Sequence, residues 1–227
     1  MVDRRQYLEK MNWQYWEPYL LSPVALIGQN IEEQSGAVII RAVYQFLRPG
    51  NAEQQIVASV VYEINNSGTV DVAYTLQPEN ARDFFLELGL GLLMPEQYTE
   101  IQWIGDGFHA SYPGKSAHAI RGVYAVQAGE PHAYGNRANI DLASISDSAG
   151  NGVSLLPGGS DISVEAAEDG IFVTNNLLVS GRGTKPTGMV TGYLIPAARV
   201  QTVSGEFTLV PLTAGNWPGL IQKFFGE

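Results

Sequence analysis

The sequence predicts an all-β chain folded as one large antiparallel β-sandwich with a short N-terminal helix. Glycine and proline are frequent, with 25 and 12 residues among 227, and only 16% of residues are charged. Runs of β-branched and aromatic residues recur between them, which is typical of many strands joined by tight turns. We see no internal repeat or domain boundary. The prediction is therefore a single domain over residues 1–227, with a helical segment at 1–19 and a C-terminal extension at 212–227.

The N-terminal segment has helical spacing over residues 3–16. Tyr7, Met11 and Tyr15 recur four residues apart, Asp3 is a suitable N-cap, and Pro18 ends the pattern. The aromatic residues of this segment have two interpretations: the helix packs on the sheet, or its rings form a platform for a sugar. We favour packing on the sheet.

Alternating apolar residues predict the strands. Residues 37–47, 56–64 and 69–77 are clear examples, and an Asn-Asn-Ser-Gly hairpin turn joins the last two. The continuous apolar run within 84–94 predicts a buried strand, and 120–126 is a short apolar segment. Further strands are predicted at 99–104, 138–146, 153–156, 164–167, 171–178, 189–195 and 206–211, with a hairpin turn at 147–152.

Composition excludes several classes of partner. The net charge is −10 and the sequence pI is about 4.7, so we expect neither nucleic acid nor an anionic membrane as a partner. No apolar run is long enough to span a bilayer, and no signal peptide is visible. The absence of cysteine fits a reducing cytoplasm but leaves localisation open.

Two loops carry the most distinctive residues. Residues 103–115 read Trp-Ile-Gly-Asp-Gly-Phe-His-Ala-Ser-Tyr-Pro-Gly-Lys, and residues 129–137 are rich in turn-forming and polar side chains. The first loop has two interpretations: Trp103 ends a core strand and an ordinary connection follows, or the loop projects from the sheet and binds a ligand. Spacing alone favours the ordinary connection.

No self-sufficient catalytic site is visible in the sequence. No motif singles out a pair of carboxylates for glycoside hydrolysis, and no nucleophile elbow or phosphate loop is present. His109, His118 and His132 are too scattered to indicate a metal site, although His109 and His132 lie in the two loops and can share a pocket. We therefore expect no catalytic residue, metal or cofactor in this chain.

The two loops and the order of strands around them resemble the C-terminal β-sandwich domain, of the small-chain type, of glycoside hydrolase family 2 β-galactosidases. The first family motif is Trp-x-Gly-x-Gly-x-His-Glu-x-Tyr-Pro, and it is matched here by Trp103, Gly105, Gly107, His109, Tyr112 and Pro113. The second motif is Pro-Gln-Glu-Asn-Gly-Asn-Arg, and it is matched by Pro131, Gly135, Asn136 and Arg137. The family's Asp-x-x-Gly-x-Gly hairpin is matched by Asp147, Gly150 and Gly152. The resemblance covers roughly residues 1–211.

The sequence departs from this family at the glutamates of both motifs, where Ala110 and Ala133 stand. Residues 188–202 also lack the tryptophan that family members often extend towards a neighbouring barrel. The resemblance implies a supersandwich of the galactose-mutarotase-like type. In such enzymes the catalytic glutamates lie on a separate (β/α)8 barrel, so we expect that this chain cannot hydrolyse a glycoside alone.

The first functional hypothesis is a non-catalytic domain or small subunit of a β-galactosidase-like enzyme. Its expected partners are a catalytic (β/α)8 barrel, on which it packs, and a galactoside-like carbohydrate, whose site it helps to shape. Asn136 and Arg137 either bond sugar hydroxyls or brace the loops. The carbohydrate-binding candidates are Trp103, His109, Tyr112, His132, Tyr134, Asn136 and Arg137.

Two alternatives remain open at this point. One is a mutarotase-like enzyme, in which His109, His132 and Glu130 are the acid–base candidates because proton transfer needs such groups within reach of one bound sugar. The other is a free-standing module that binds carbohydrate or a protein partner.

Overall fold

The computed structural model describes residues 15–16, 24–48, 50–114, 116–117, 119–130, 132–181, 184–185, 188–189 and 194–215. Within these residues the regular structure is strand, apart from a short 3-10 helix at Ala197–Arg199. The strands are β1 Tyr15–Trp16, β2 Val24–Gln34, β3 Ala37–Arg48, β4 Asn51–Asn65, β5 Val70–Glu79, β6 Phe84–Phe85, β7 Glu87–Pro95, β8 Glu100–Gly107, β9 Ile120–Gln127, β10 Gly135–Arg137, β11 Leu142–Ser146, β12 Gly152–Leu156, β13 Asp161–Ala167, β14 Gly170–Val179, β15 Thr184–Lys185, β16 Gly188–Met189, β17 Ile195–Pro196 and β18 Val203–Leu212. The prediction of an all-β fold is confirmed.

One large antiparallel sheet organises the chain. It has nine strands in the order β2-β3-β4-β5-β18-β12-β11-β8-β9. A four-stranded antiparallel sheet has the order β10-β13-β14-β7. Two smaller units complete the described part: β1, β6 and β17 form a three-stranded sheet, and β15 pairs with β16.

The large sheet and the four-stranded sheet pack face to face as a sandwich. Val60 and Val72 of the large sheet and Val173 of the smaller sheet are at most 2% exposed and belong to one apolar core. The hydroxyl of Tyr74 lies 3.0 Å from the carbonyl oxygen and 2.7 Å from Oδ1 of Asn175, across the two sheets. Burial raises the pKa of Tyr74, so its hydroxyl keeps the proton that it donates.

The alternation in β4 and β5 positions their side chains as the sequence predicts. Val60 and Tyr74 point into the core, whereas Glu63 and Asp71 are exposed on the other face. The hairpin between the strands forms at residues 65–68, where Gly68 has a φ of +80°. The Asn65 side chain accepts bonds there from the backbone N–H groups of Ser67 and Thr69 at 3.0 and 3.2 Å.

The N-terminal prediction fails at the residues that can be checked. Residues 3–14 of the predicted helix lie outside the described residues, but Tyr15 and Trp16 form β1, which pairs in parallel with β6. Trp16 is 1% exposed, its ring lies 5.3 Å from that of Phe85, and its Nε1 donates to the Arg82 carbonyl at 2.9 Å. Tyr15 and Trp16 therefore belong to a strand, and the helix prediction is wrong at these two residues. The C-terminal extension is described only as far as Gly215.

Strand boundaries also differ from the predictions. The edge strand β2 was not predicted, and β8 continues beyond Trp103 to Gly107. The strand predicted at 138–146 is confined to β11, because Asn139 takes a φ of +53° that is incompatible with a continuous strand. Most of the strand predicted at 189–195 lies outside the described residues. No helix in the described ranges is long and apolar enough to cross a membrane.

Candidate binding site at the two motif loops

Trp103 is a core residue at the base of the first loop. It is 1% exposed, and its ring stacks on that of Tyr124, its direct partner on β9, with centroids 5.3 Å apart. Its Nε1 donates to the Asp106 carbonyl at 3.2 Å. A Cβ at Gly107 would stand 2.8 Å from Nε1 of Trp103, so glycine is required for the backbone to pass this close to the indole. Trp103 therefore lies in a core strand, as one interpretation held, but it does not end that strand, because β8 continues to Gly107.

Arg137 on β10 is a buried cation that supports the second loop. It is 2% exposed, and its guanidinium donates to the carbonyl oxygens of Gly135 at 2.8 Å, Ala133 at 3.2 Å and His132. Among the described residues no carboxylate lies within 4.0 Å of it, and its Nε has no hydrogen-bond partner. Burial lowers the pKa of Arg137 to about 10, an effect that Tyr112 opposes, so the guanidinium stays charged at neutral pH.

Asn136 joins the two loops to the small sheet. It is fully buried, and its Nδ2 donates to the Ser111 carbonyl at 2.9 Å and to Oδ2 of Asp161 at 2.7 Å. Its Oδ1 accepts from Oγ of Ser163 and Nδ2 of Asn176, each at 3.3 Å. Both the amide nitrogen and the amide oxygen of Asn136 are therefore bonded to protein groups, so this side chain braces the loops.

Tyr112 and Gly135 pack against each other where the loops cross. The Tyr112 hydroxyl accepts from the backbone N–H of Asn136 at 3.2 Å, and Tyr112 is only 8% exposed. Gly135 has a φ of +103°, and a Cβ there would stand 2.8 Å from both the Tyr112 hydroxyl and the Cβ of Ala110. Glycine at 135 is therefore needed for its backbone angle and for the close contact.

A half-buried carboxyl, that of Asp161, lies beside this network. Burial raises the pKa of Asp161, and the nearby carboxylates of Glu87 and Asp106 raise it further, while the hydrogen bond from Asn136 lowers it. The resulting pKa of Asp161 lies above its ordinary value of 3.8. The Asp161 carboxyl is thus harder to ionise than a free aspartate side chain.

The exposed surface above this network is aromatic. Phe108 is 37% exposed, and its ring centroid lies 5.5 Å from that of His109 and 4.9 Å from that of His132. Both histidines are exposed, their ring centroids are 4.6 Å apart, and their Nδ1 atoms are 3.3 Å apart. The two loops therefore bring together histidines that are 23 positions apart in the sequence. We call Phe108, His109 and His132 the aromatic cap.

Tyr134 and Glu130 shape the turn that precedes β10. The half-buried Tyr134 accepts through its hydroxyl from the Gly129 N–H at 2.9 Å. The exposed Glu130 accepts through Oε2 from the Gln127 N–H at 3.2 Å. The Glu130 carboxylate thus bonds the backbone of the turn in which Glu130 itself lies.

Of the predicted carbohydrate-binding candidates, the structure leaves His109, His132 and the half-buried Tyr134 open to solvent. Trp103, Tyr112, Asn136 and Arg137 are buried beneath them. Sequence reasoning did not identify Phe108, whose exposure depends on the path of the loop. It also missed Ser111 and Asp161, because their partners are distant in sequence and no local pattern marks them.

Outside the motif loops, the described residues form two surface grooves and no cluster typical of a metal site. No group of three or more His, Cys, Asp or Glu side chains in these ranges has the arrangement of a metal site, and His118 lies outside them. Two adjoining open grooves of about 370 and 540 Å³ cross the outer face of β4, β5 and β18. Glu63, Asp71 and Glu206 line them, together with the hydroxyls of Ser59, Thr75, Ser204 and Thr208.

The chain matches a known protein family over most of its length. A family model described as "Beta galactosidase small chain" matches residues 3–174, which is well over half of the 227 residues and includes both motif loops. The comparison with curated proteins found no match.

Proposed function

The chain belongs to the β-galactosidase small-chain family, and from this premise we propose that it is the non-catalytic partner of a β-galactosidase. In this role it packs on a separate catalytic (β/α)8 barrel and completes one wall of the barrel's sugar site. The observation that carries the proposal is the aromatic cap, which stands exposed on a rigid and buried base.

The base is suited to holding a binding surface in a fixed position. Arg137 holds the carbonyl of His132, and Asn136 holds the carbonyl of Ser111, two residues after His109. Groups that bind a ligand act best when buried hydrogen bonds already fix the loops that carry them, because less conformational entropy is then lost on binding. The four buried candidates thus support binding by fixing the loops and do not contact the ligand themselves. They are Trp103, Tyr112, Asn136 and Arg137.

The cap has the chemistry of a sugar contact. Phe108 offers an apolar ring that can cover the apolar face of a pyranose, and the imidazoles of His109 and His132 offer hydrogen-bond donors and acceptors to hydroxyls. A galactoside is uncharged, so the net charge of −10 does not oppose its binding. Phe108 therefore joins His109, His132 and Tyr134 as a proposed contact residue.

The test is reconstitution with a barrel. A β-galactosidase catalytic chain that lacks its small-chain domain is mixed with this protein, and hydrolysis of a chromogenic galactoside is measured. We expect a stable complex and a gain in activity, with the Michaelis constant raised at least threefold by Phe108→Ala. Ile31→Ala is the matched control, since Ile31 is an exposed apolar residue on β2 at the other edge of the large sheet.

Two results bear directly on this proposal. Failure to form a complex with any such barrel, or equal effects of the two variants, would contradict it. Genomic context is an independent check: a barrel encoded in the same reading frame or an adjacent one supports the accessory role, and its absence favours the alternatives.

The histidine pair also favours a second candidate function, a mutarotase-like proton transfer. His109 and His132 lie close enough to act on one sugar, although Glu130 is directed towards its own turn. Polarimetry of freshly dissolved α-galactose tests this candidate. Acceleration that is lost in His109→Gln and His132→Gln supports it, and an unchanged rate rules it out.

A further inference from the structure

His109 and His132 lie in different loops yet direct their Nδ1 atoms towards each other at 3.3 Å. An ion bound to two imidazoles at about 2.0–2.1 Å, with a tetrahedral angle between them, requires nitrogens about 3.3–3.4 Å apart. The two side chains are exposed, so an ion can reach them from solvent. We propose that His109 and His132 form a binding site for a borderline divalent transition-metal ion such as Zn²⁺ or Ni²⁺.

The spacing of the pair is held by the surrounding protein. The Arg137 guanidinium bonds the backbone carbonyls of His132 and Ala133, and the Ser111 N–H bonds the Asn136 carbonyl at 2.8 Å. The ring of Phe108 packs against both imidazole rings. Ligands fixed in this way lose little entropy when the ion binds, which raises metal affinity.

The ligand type decides which ions the site accepts. Neutral imidazole suits Zn²⁺, Ni²⁺ and Cu²⁺, whereas Mg²⁺ and Ca²⁺ require oxygen ligands. In the hydrogen-bonded pair one ring carries its proton on Nδ1, and that proton moves to Nε2 of the same ring when the ion binds. The net charge of −10 also attracts cations to the protein.

Among the described residues, the histidine pair has no further protein ligand that would close the site. The described residues include no third His, Cys, Asp or Glu that completes a cluster around the pair. Two protein nitrogens therefore leave coordination positions for water or for oxygen atoms of a bound molecule. We expect weaker binding than at a closed four-ligand structural zinc site. The inference does not depend on the proposed association with a barrel.

Calorimetric titration tests the site. The full chain, without an affinity tag and treated with chelator, is titrated with ZnCl2 and separately with MgCl2. We expect saturable binding of one Zn²⁺ per chain and none of Mg²⁺. His109→Gln and His132→Gln should each lower Zn²⁺ affinity at least tenfold, and visible absorption of bound Co²⁺ should be lost in both.

His118→Gln is the matched control, because His118 is the remaining histidine of the chain. Circular dichroism and thermal unfolding of each variant distinguish loss of the site from loss of the fold. Absence of saturable Zn²⁺ binding by the wild-type chain would overturn the proposal. So would affinity that is unchanged in both folded variants of the pair.

Discussion

The guanidinium carbon of Arg137 lies 4.4 Å from the centre of the Trp103 ring. Arg137 belongs to the four-stranded sheet and Trp103 to the nine-stranded sheet, so this contact joins the two layers directly beneath the motif loops. A cation over a buried indole is worth about 2 kcal/mol when both groups are desolvated. The contact also links the two sequence motifs, since each supplies one of the two residues.

Substitution of Arg137 by lysine tests the role of this buried cation. Lysine keeps the charge but cannot place a planar fork of donors against the carbonyls of Gly135, Ala133 and His132. We expect Arg137→Lys to lower the free energy of unfolding by about 2–4 kcal/mol, measured by urea denaturation. Arg199→Lys, at an exposed position, should change it by less than about 0.5 kcal/mol. Equal stability of the two variants would refute this role.

Gly135 and Gly129 provide a matched pair for testing the loop crossing. Their φ angles are +103° and +93°, but a Cβ at 135 would lie 2.8 Å from Tyr112 and Ala110, whereas a Cβ at 129 would have nothing within 4 Å. We expect Gly129→Ala to cost about 1–2 kcal/mol from backbone strain alone. Gly135→Ala should cost about 1–3 kcal/mol more, because the neighbouring side chains must shift. Thermal and urea unfolding measure both, and equal losses would contradict the packing argument.

The raised pKa of Asp161 predicts how the stability of the folded protein depends on pH. Its pKa in the folded state lies above its ordinary value of 3.8, mainly because of burial, so the folded protein holds this proton more tightly than the unfolded chain. Its contribution to stability therefore falls as pH rises from 3.8 through the raised pKa, and stays lower above it. Asparagine at position 161 does not ionise, so Asp161→Asn removes this pH-dependent loss of stability. Its side-chain oxygen can still accept the hydrogen bond from Nδ2 of Asn136.

The test compares the stability of the Asp161→Asn variant with that of the wild type at several pH values. The stability of Asp161→Asn relative to the wild type should increase as the pH rises from 3.8 through the raised pKa of Asp161, and should then level off. Urea unfolding at several pH values measures this difference. A difference that is constant with pH, or that decreases as pH rises, would contradict the raised pKa of Asp161.

Local patterns were sufficient to predict much of the fold. Strands β4 and β5 alternate with period two, and their hairpin carries Asn65 and Gly68, so residues near in sequence determine both the faces and the turn. The helix prediction failed at Tyr15 and Trp16 because the position of Trp16 depends on Phe85 and Arg82, which are more than 60 residues away. Periodicity within a segment carries no information about such contacts.

The candidate site was predictable in location but not in detail. The motif residues identified the two loops, and the alternative that Asn136 and Arg137 brace them agrees with their contacts. Which motif residues are exposed could not be inferred, since this depends on long-range hydrogen bonds such as that from Asn136 to Asp161. The approach of His109 to His132 has the same cause, because the buried network sets the distance between the loops.

Phe108→Ala separates a binding role from a structural one. Phe108 is 37% exposed and contacts the histidine rings, so its removal should cost only about 1 kcal/mol of stability. If the ring covers the apolar face of a sugar, a complex of the Phe108→Ala chain with the proposed catalytic barrel should bind galactose at least threefold more weakly than the wild-type complex. Val123→Ala on the neighbouring β9 is the control, since Val123 is 51% exposed and apolar, and it should leave galactose affinity unchanged. Calorimetric titration with galactose measures both variants. Unchanged affinity in a stably folded Phe108→Ala complex would exclude the ring from the sugar contact and leave it a purely structural neighbour of the histidines.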